Sequence, residues 1–209
     1  MSMTNEPVTE KEAAEYHKAY LERKKIYKGF GYDVDKERNF ILEQAKPICG
    51  RILEAGTGKG HFALALAKAG YSFITFDISP EEQRFARLNI AYFGFNKQVD
   101  FRIENGEHTS FDAESFDVIF SVNLLHHLQN VYLVIDEFIR ILSPKGKLVL
   151  AEFTEEGFKI MDKIHSLEGD KHETGKIGLA DAETYLIKNG FSVKKIESKY
   201  QCVLIAQRG

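Results

Sequence analysis

The stretch RILEAGTGKGHFALALAKAG, from Arg51 to Gly70, constrains this chain more than any other. A short apolar run ends in glycines at 56, 58 and 60, and an apolar-periodic segment follows at once. Glycine adopts positive φ freely and has no Cβ to hold a ligand away from the backbone. A strand that runs through such a loop into a helix opens a βαβ unit, and repeated units of that kind build a parallel sheet.

The rest of the chain continues the alternation. SFITFDI reads as a strand, and SPEEQRFARLNIAYFG as a helix with Ser79 as N-cap, Pro80 in its first turn and Glu82 three residues on. VDFRI is a strand, ENGEHTSFDAE a loop, FDVIFSVN a strand, VYLVIDEFIRIL a helix, SPKG a turn and KLVLAEF a strand. Several of these strands are apolar on both faces, which requires helices on both sides of the sheet. After the helix DAETYLIKNG, the segments FSVKKIESKY and QCVLIAQRG follow with almost no gap. Adjacent strands that close together pair antiparallel. The sequence therefore predicts one α/β domain: a doubly wound, mostly parallel sheet of seven strands with an antiparallel C-terminal hairpin and helices on both faces. Ahead of it, EKEAAEYHKAYLERKKIYKGFG reads as a helix stopping at Gly29, and DKERNFILEQAK as a second, with Asp35 as N-cap and Pro47 beyond its end.

Composition narrows the function classes. A chain of 209 residues suits a single domain with a sizeable core, and a net charge of −3 gives no basic field for nucleic acid or an anionic membrane. No apolar run approaches the ~20 residues of a membrane span, and the polar, acidic N-terminus is unlike a signal peptide. Two scattered cysteines, Cys49 and Cys202, make no disulfide framework, read as buried structural residues, and point to a reducing, cytoplasmic setting. The partners this implies are a small molecule, with neither nucleic acid nor membrane, and a monomer or homodimer.

In an open α/β sheet, ligands bind beyond the carboxyl ends of the strands, where the strand order reverses. Glu54 precedes the glycine loop and Asp77 ends the next strand, placed to accept hydrogen bonds from both hydroxyls of a ribose. A dinucleotide fingerprint needs glycine where His61 stands, and no Gly-Lys-Ser/Thr follows for a P-loop. A nucleoside with a small zwitterionic tail suits the loop better than a pyrophosphate. A glycine turn serving only packing is the alternative.

LEAGTGKG resembles motif I of the class I S-adenosylmethionine-dependent methyltransferases, (V/L)-(D/E)-x-G-x-G-x-G. FDIS resembles the end of that family's second strand. IENGEHTSFDAESFDVIFSVNLLHHL and IRILSPKGKLVLAEF resemble its later segments, in order. The likeness covers residues 48–155 and implies a Rossmann-like fold with S-adenosyl-L-methionine as cofactor. By that resemblance Glu54 orients the amino end of the methionine moiety, and Gly56, Thr57 and Gly58 line the cofactor. Asp77 holds the ribose and Ile78 packs on the adenine. Asn105, where the family usually has Asp, accepts from the adenine amino group, Gly106 lets the adenine edge reach backbone, and Asn123 faces the methyl group. Lys145-Gly146 departs from the usual Gly-Gly in a turn remote from the cofactor.

Methyl transfer from a sulfonium requires chiefly alignment and exclusion of water, and a base only where the acceptor must lose a proton. His126 and His127 follow the fourth strand at the ligand end and are the catalytic candidates, as base or acceptor-orienting groups; a capped helical turn is the other reading. DKIHSLEGDKHETGK places His165, His172 and Glu173 near the acceptor side, where they form a lid, a solvated loop or, least readily, metal ligands; no metal is expected. Tyr16, Tyr20, Tyr27, Tyr32 and Phe30 supply an aromatic wall. The domain thus divides into an N-terminal helical cap (1–47), a cofactor core (48–155), an acceptor-side lid (156–180) and a closing helix and hairpin (181–209). The function so implied is methyl transfer to a small molecule. A non-catalytic S-adenosylmethionine-binding module and a nicotinamide-dependent oxidoreductase, disfavoured by His61, are the alternatives.

Overall fold

A computed structural model describes residues 8–168 and 177–209. Two helices, α1 (Glu10–Gly29) and α2 (Val34–Ala45), precede β1 (Ile52–Ala55), α3 (His61–Lys68), β2 (Phe73–Asp77), α4 (Pro80–Tyr92), β3 (Val99–Ile103) and β4 (Phe116–Val122). A single 3-10 turn (Leu125–His127) leads to α5 (Val131–Ile141), β5 (Leu142–Phe153), α6 (Glu155–Glu168), α7 (Leu179–Lys188), β6 (Phe191–Glu197) and β7 (Gln201–Arg208). The seven strands lie in the order β3-β2-β1-β4-β5-β7-β6. Pairs from β3 through β5 are parallel, whereas β7 runs antiparallel to both β5 and β6. The predicted sheet and its closing hairpin are both present.

The strands bury alternate residues on opposite faces. Ile52, Phe120, Val149 and Val203 meet Ile41, Phe62, Leu66 and Ile90 from α2, α3 and α4. Leu53, Ile119, Leu148 and Leu204 meet Val134, Ile135, Phe138 and Leu186 from α5 and α7. Along α5, Val131, Val134, Ile135, Phe138 and Ile141 recur every three or four residues, so one stripe faces the sheet. Burying five such side chains contributes on the order of 10 kcal/mol before the entropy of ordering them. A third, smaller cluster joins Tyr32, Val34, Met161, Ile164 and Tyr200.

Four local expectations change. The N-cap of α2 is Asp33, whose Oδ1 accepts from Lys36 N at 3.2 Å; Asp35 is the second helical residue and pairs with Lys24 instead. The segment SPKG sits inside β5 as a bulge, where Phe116 pairs with Leu142 but Val118 with Lys147. Of the segment read as a lid, residues through 168 belong to α6, because Met161 and Ile164 give it an apolar side to bury on Tyr32 and Tyr200; residues 169–176 lie outside the described ones. Cys49 is exposed, in the connection between α2 and β1, while Cys202 is buried and its thiol is pushed up to about 12 by that burial.

The strand order reverses between β1 and β4, so the crevice beyond their carboxyl ends is the switch point of the sheet. The glycine loop, Asn123 and the post-β4 turn all open there.

Candidate functional site

A buried polar chain supports the glycine loop. Thr75 on β2 stands opposite Glu54 on β1, and its hydroxyl donates to Glu54 Oε2 at 2.7 Å. Thr75 Oγ1 also lies 2.6 Å from Thr57 Oγ1, which Gln83 Nε2 approaches at 3.4 Å. The Thr57 side chain therefore turns inward, and its backbone closes the loop: its N–H donates to Phe76 O and its carbonyl accepts from Gly60 N, both at 2.9 Å. Glu54 is 1% exposed, and burial pushes its carboxyl up to about 8, against the bond from Thr75 and with repulsion from Asp77.

The three glycines do different work, all at positive φ. A Cβ on Gly60 would stand 2.6 Å from Ala86 Cβ, so this glycine lets α3 meet α4. A Cβ on Gly56 would strike Leu124 at 2.8 Å. A Cβ on Gly58 would meet nothing within 4 Å, which leaves this position open to a ligand.

Asp77 is anchored from both sides: Gly58 N donates to Oδ2 at 2.7 Å and Ser79 N to Oδ1 at 2.9 Å. Beside it Ile78 is 68% exposed and Ile103, at the end of β3, 51%. Two bare apolar side chains flanking a carboxylate suit a ring attached to a polyol. Just beyond β3, Asn105 Oδ1 accepts from Glu107 N at 3.0 Å, and Gly106 has room toward Val134 and Phe76. That loop is pinned: Thr109 gives both its N–H and its hydroxyl to Glu137, which Arg140 grips with two nitrogens. Burial works to raise the Glu137 carboxyl, but the bonds from Arg140 and Thr109 outweigh it and hold it at about 2.

Asn123, at φ 53°, turns the chain out of β4, its N–H on Ala151 O at 2.7 Å. With its amide oxygen toward Arg38, it accepts from the guanidinium at 2.8 and 3.1 Å and donates to Gln201 Oε1 at 3.0 Å. Gln201 Nε2 and Arg38 Nη1 both donate to Tyr32 Oη, at 3.0 and 3.2 Å. Arg38 is 7% exposed, and its Nε has no partner. Nearby, His61 opens α3 with its ring against Tyr20; burial, then Arg38 and other cations, pushes it down to about 3, so it is neutral.

The two candidate histidines part ways. His126 is 6% exposed, with Nδ1 2.6 Å from Glu152 Oε2, while the other oxygen of Glu152 takes Leu125 N–H at 2.8 Å. His127 is exposed, its ring 3.9 Å from that of His126. Of the aromatic wall, Tyr16 stacks on Phe85, Tyr20 and Tyr32 are buried, Tyr27 bonds Arg23, and Phe30 is exposed. His172 and Glu173 lie outside the described residues, as does the side chain of His165. Sequence reasoning missed Arg38, Gln201 and Thr75. One signal was available: Arg38 falls in helical phase with Ile41, Leu42 and Ala45, on the face that enters the core.

The family profile described as "Methyltransferase domain" matches residues 53–150. The Ubiquinone biosynthesis O-methyltransferase of Xanthomonas axonopodis pv. citri (strain 306) is 29% identical over 113 residues, 54% of this chain and 46% of that protein. The chain thus spans less than half the length of the curated relatives it matches. Among solved structures, magnesium protoporphyrin IX methyltransferase from Synechocystis PCC 6803, crystallised with bound SAH, superposes with a TM-score of 0.61 at 21% identity, over 84% of this chain and 82% of that one. The cyclase SpnF superposes at 0.67 with 16% identity, over 83% and 81%. These structural likenesses establish the fold. The matched methyltransferase domain and the methyltransferase-named relatives support a class I S-adenosylmethionine-dependent methyltransferase.

Proposed function

We propose that the chain transfers a methyl group from S-adenosyl-L-methionine to a small-molecule acceptor by in-line displacement. The observation that carries this reading is the company kept at the switch point. An open Gly58, an anchored Asp77 carboxylate and a buried guanidinium with an unpaired Nε stand at the carboxyl ends of β1, β2 and β4, the last through its bond to Asn123. Those groups fit a nucleoside bearing an amino-acid tail: a carboxylate for ribose hydroxyls, bare isoleucines for a base, and a cation for a carboxylate.

When bound, the cofactor supplies a methyl group already activated on a sulfonium. The chain supplies position. Asp77 takes the ribose, Ile78 and Ile103 flank the base, and Asn105 and Gly106 meet its edge. Glu54 and Asn123 orient the amino-acid end, and Arg38 answers its carboxylate. Gly56 and the Thr57 backbone shape the loop. His126 holds the post-β4 turn through Glu152, and His127 is the exposed member of the pair, able to orient an acceptor. The formal charge of −3 and the absence of a membrane-length apolar helix among the described residues support a small-molecule acceptor rather than nucleic acid or bilayer. A cytoplasmic monomer or homodimer is the accompanying proposal.

Calorimetry with S-adenosylhomocysteine, followed by transfer of labelled methyl from S-adenosylmethionine to a panel of hydroxyl, amine and thiol acceptors, tests it. Binding with transfer supports the reading. Binding without transfer to any acceptor turns it to a binding module, and absence of binding refutes it.

A further inference from the structure

Arg38, Tyr32, Gln201 and Asn123 form a closed ring of hydrogen bonds drawn from four separate parts of the chain. Arg38 comes from α2, Tyr32 from the α1–α2 connection, Gln201 from the first position of β7 and Asn123 from the exit of β4. Around it, Arg38 donates to Tyr32 and Asn123, Gln201 donates to Tyr32, and Asn123 donates to Gln201. Tyr32 and Gln201 are 1% and 0% exposed, so water does not substitute for either.

The ring satisfies directions of hydrogen bonding but not charge. Every acceptor in it is neutral, and Arg38 has no carboxylate partner among the described residues. Glu54 is the carboxyl whose ionisation Arg38 favours, yet burial keeps it protonated up to about 8. A buried, uncompensated guanidinium is costly and is retained only where something repays it. A carboxylate in place of Tyr32 or Gln201 would cancel the charge. Two neutral groups instead fix the guanidinium plane while leaving its charge and its Nε unspent.

We propose that Tyr32 and Gln201 are positioning residues that hold Arg38 ready for the carboxylate of an amino-acid-bearing ligand, so that the site selects its methyl donor by that group. The proposal rests on reading the crevice as an S-adenosylmethionine site. Gln201 is the keystone: it orients both neutral acceptors of the guanidinium, and Ser198 locks it through the bond from Gln201 N to Ser198 Oγ at 2.9 Å. The same Ser198 hydroxyl donates to Glu37 on α2, next to Arg38, at 2.9 Å. The turn before β7 and the helix that carries the cation are thereby held as one unit.

The test compares S-adenosylmethionine with its decarboxylated form by calorimetry in the parent protein and in Tyr32→Phe, Gln201→Leu and Gln201→Glu. The parent binds the carboxylate-bearing ligand at least about tenfold more tightly. Tyr32→Phe and Gln201→Leu lower that preference about tenfold while affinity for the decarboxylated ligand stays within about twofold, a pattern that general loosening of the fold does not give. Gln201→Glu, which adds a carboxylate to the ring, abolishes the preference. Should Tyr32→Phe fail to fold, the two Gln201 variants decide alone. An undiminished preference in the variants, or none in the parent, overturns the positioning role and leaves the cofactor site standing. A parent protein that binds neither ligand overturns the site reading itself and the proposal with it.

Discussion

Replacing Glu54 with glutamine should remove a pH-dependent strain from the ligand-free protein. The Glu54 carboxyl titrates near 4.5 in an unfolded chain and at about 8 in the folded one. Above pH 4.5 the unfolded chain ionises this group while the folded chain keeps it protonated, so stability falls as pH rises and levels off beyond 8. The separation of about 3.5 units corresponds to about 5 kcal/mol at the plateau. On the same curve the penalty is about 1 kcal/mol at pH 5 and about 4 kcal/mol at pH 8. Glutamine does not titrate, so the difference in stability between parent and Glu54→Gln should shift by about 3 kcal/mol across that interval, in favour of the variant. For a chain of this size that is about 6–12 °C in melting temperature.

The comparison uses the change of the difference with pH, because the amide introduces a fixed cost of its own toward Thr75 Oγ1. Thermal unfolding of both proteins, followed from pH 5 to pH 8.5, reads it directly. Parallel curves would refute the assignment of a protonated Glu54. On the proposed reading the same group would link proton and ligand, since an ammonium arriving beside Glu54 would favour its carboxylate. Cofactor binding at pH 7, measured in two buffers of different ionisation heat, should therefore release about one proton in the parent and none from this position in the variant.

Three further outcomes follow from the geometry. Asp77→Ala should weaken S-adenosylmethionine binding by more than about tenfold in calorimetry, since it removes a charged acceptor and frees the two amides of Gly58 and Ser79 that it anchors; unchanged affinity would refute the ribose role. His126→Ala should cost about 3–5 kcal/mol in denaturant unfolding by leaving Glu152 buried and half-paired, whereas His127→Ala should leave stability within about 0.5 kcal/mol and act on turnover; equal stability of the two variants would show that the pair has not been divided correctly. Gly60→Ala should be more destabilising than Gly58→Ala, because both sit at positive φ but only the first meets a neighbouring helix, 2.6 Å from Ala86 Cβ; chemical denaturation ranks them.

The sheet was legible because its signals are local. Strands apolar on both faces, the glycine at 70 and the Ser79 cap each lie within one element, and all seven strands form with the terminal pair antiparallel. The helix α6 was not read, because its apolar positions Phe158, Met161 and Ile164 are interspersed with His and acidic residues that drew attention as ligands. Asp33 and Asp35 are both good caps by type, and two residues of helix phase decide between them. The Arg38 ring could not be read from spacing at all. Its members stand at 32, 38, 123 and 201, and only the insertion of β7 beside β5 brings the last to the others.

The chain's likeness to a cyclase at a TM-score of 0.67 means that the fold alone does not settle what the crevice does. What separates a methyl-donor site from a bare fold is the treatment of charge at the switch point. A structural interior would neutralise Arg38 and expel or pair Glu54, since a buried guanidinium without a counter-charge and a carboxyl displaced to about 8 both subtract from stability. Here both are kept within one polar neighbourhood, a cation without its anion and an acid without its charge. On the proposed reading, a zwitterion would supply each with what it lacks, a carboxylate for Arg38 and an ammonium to favour ionised Glu54, and the two defects would be complementary halves of one ligand's charge pattern. An unassisted fold has no reason to hold them together, and repairing either one should stabilise the empty protein while weakening its grip on the donor.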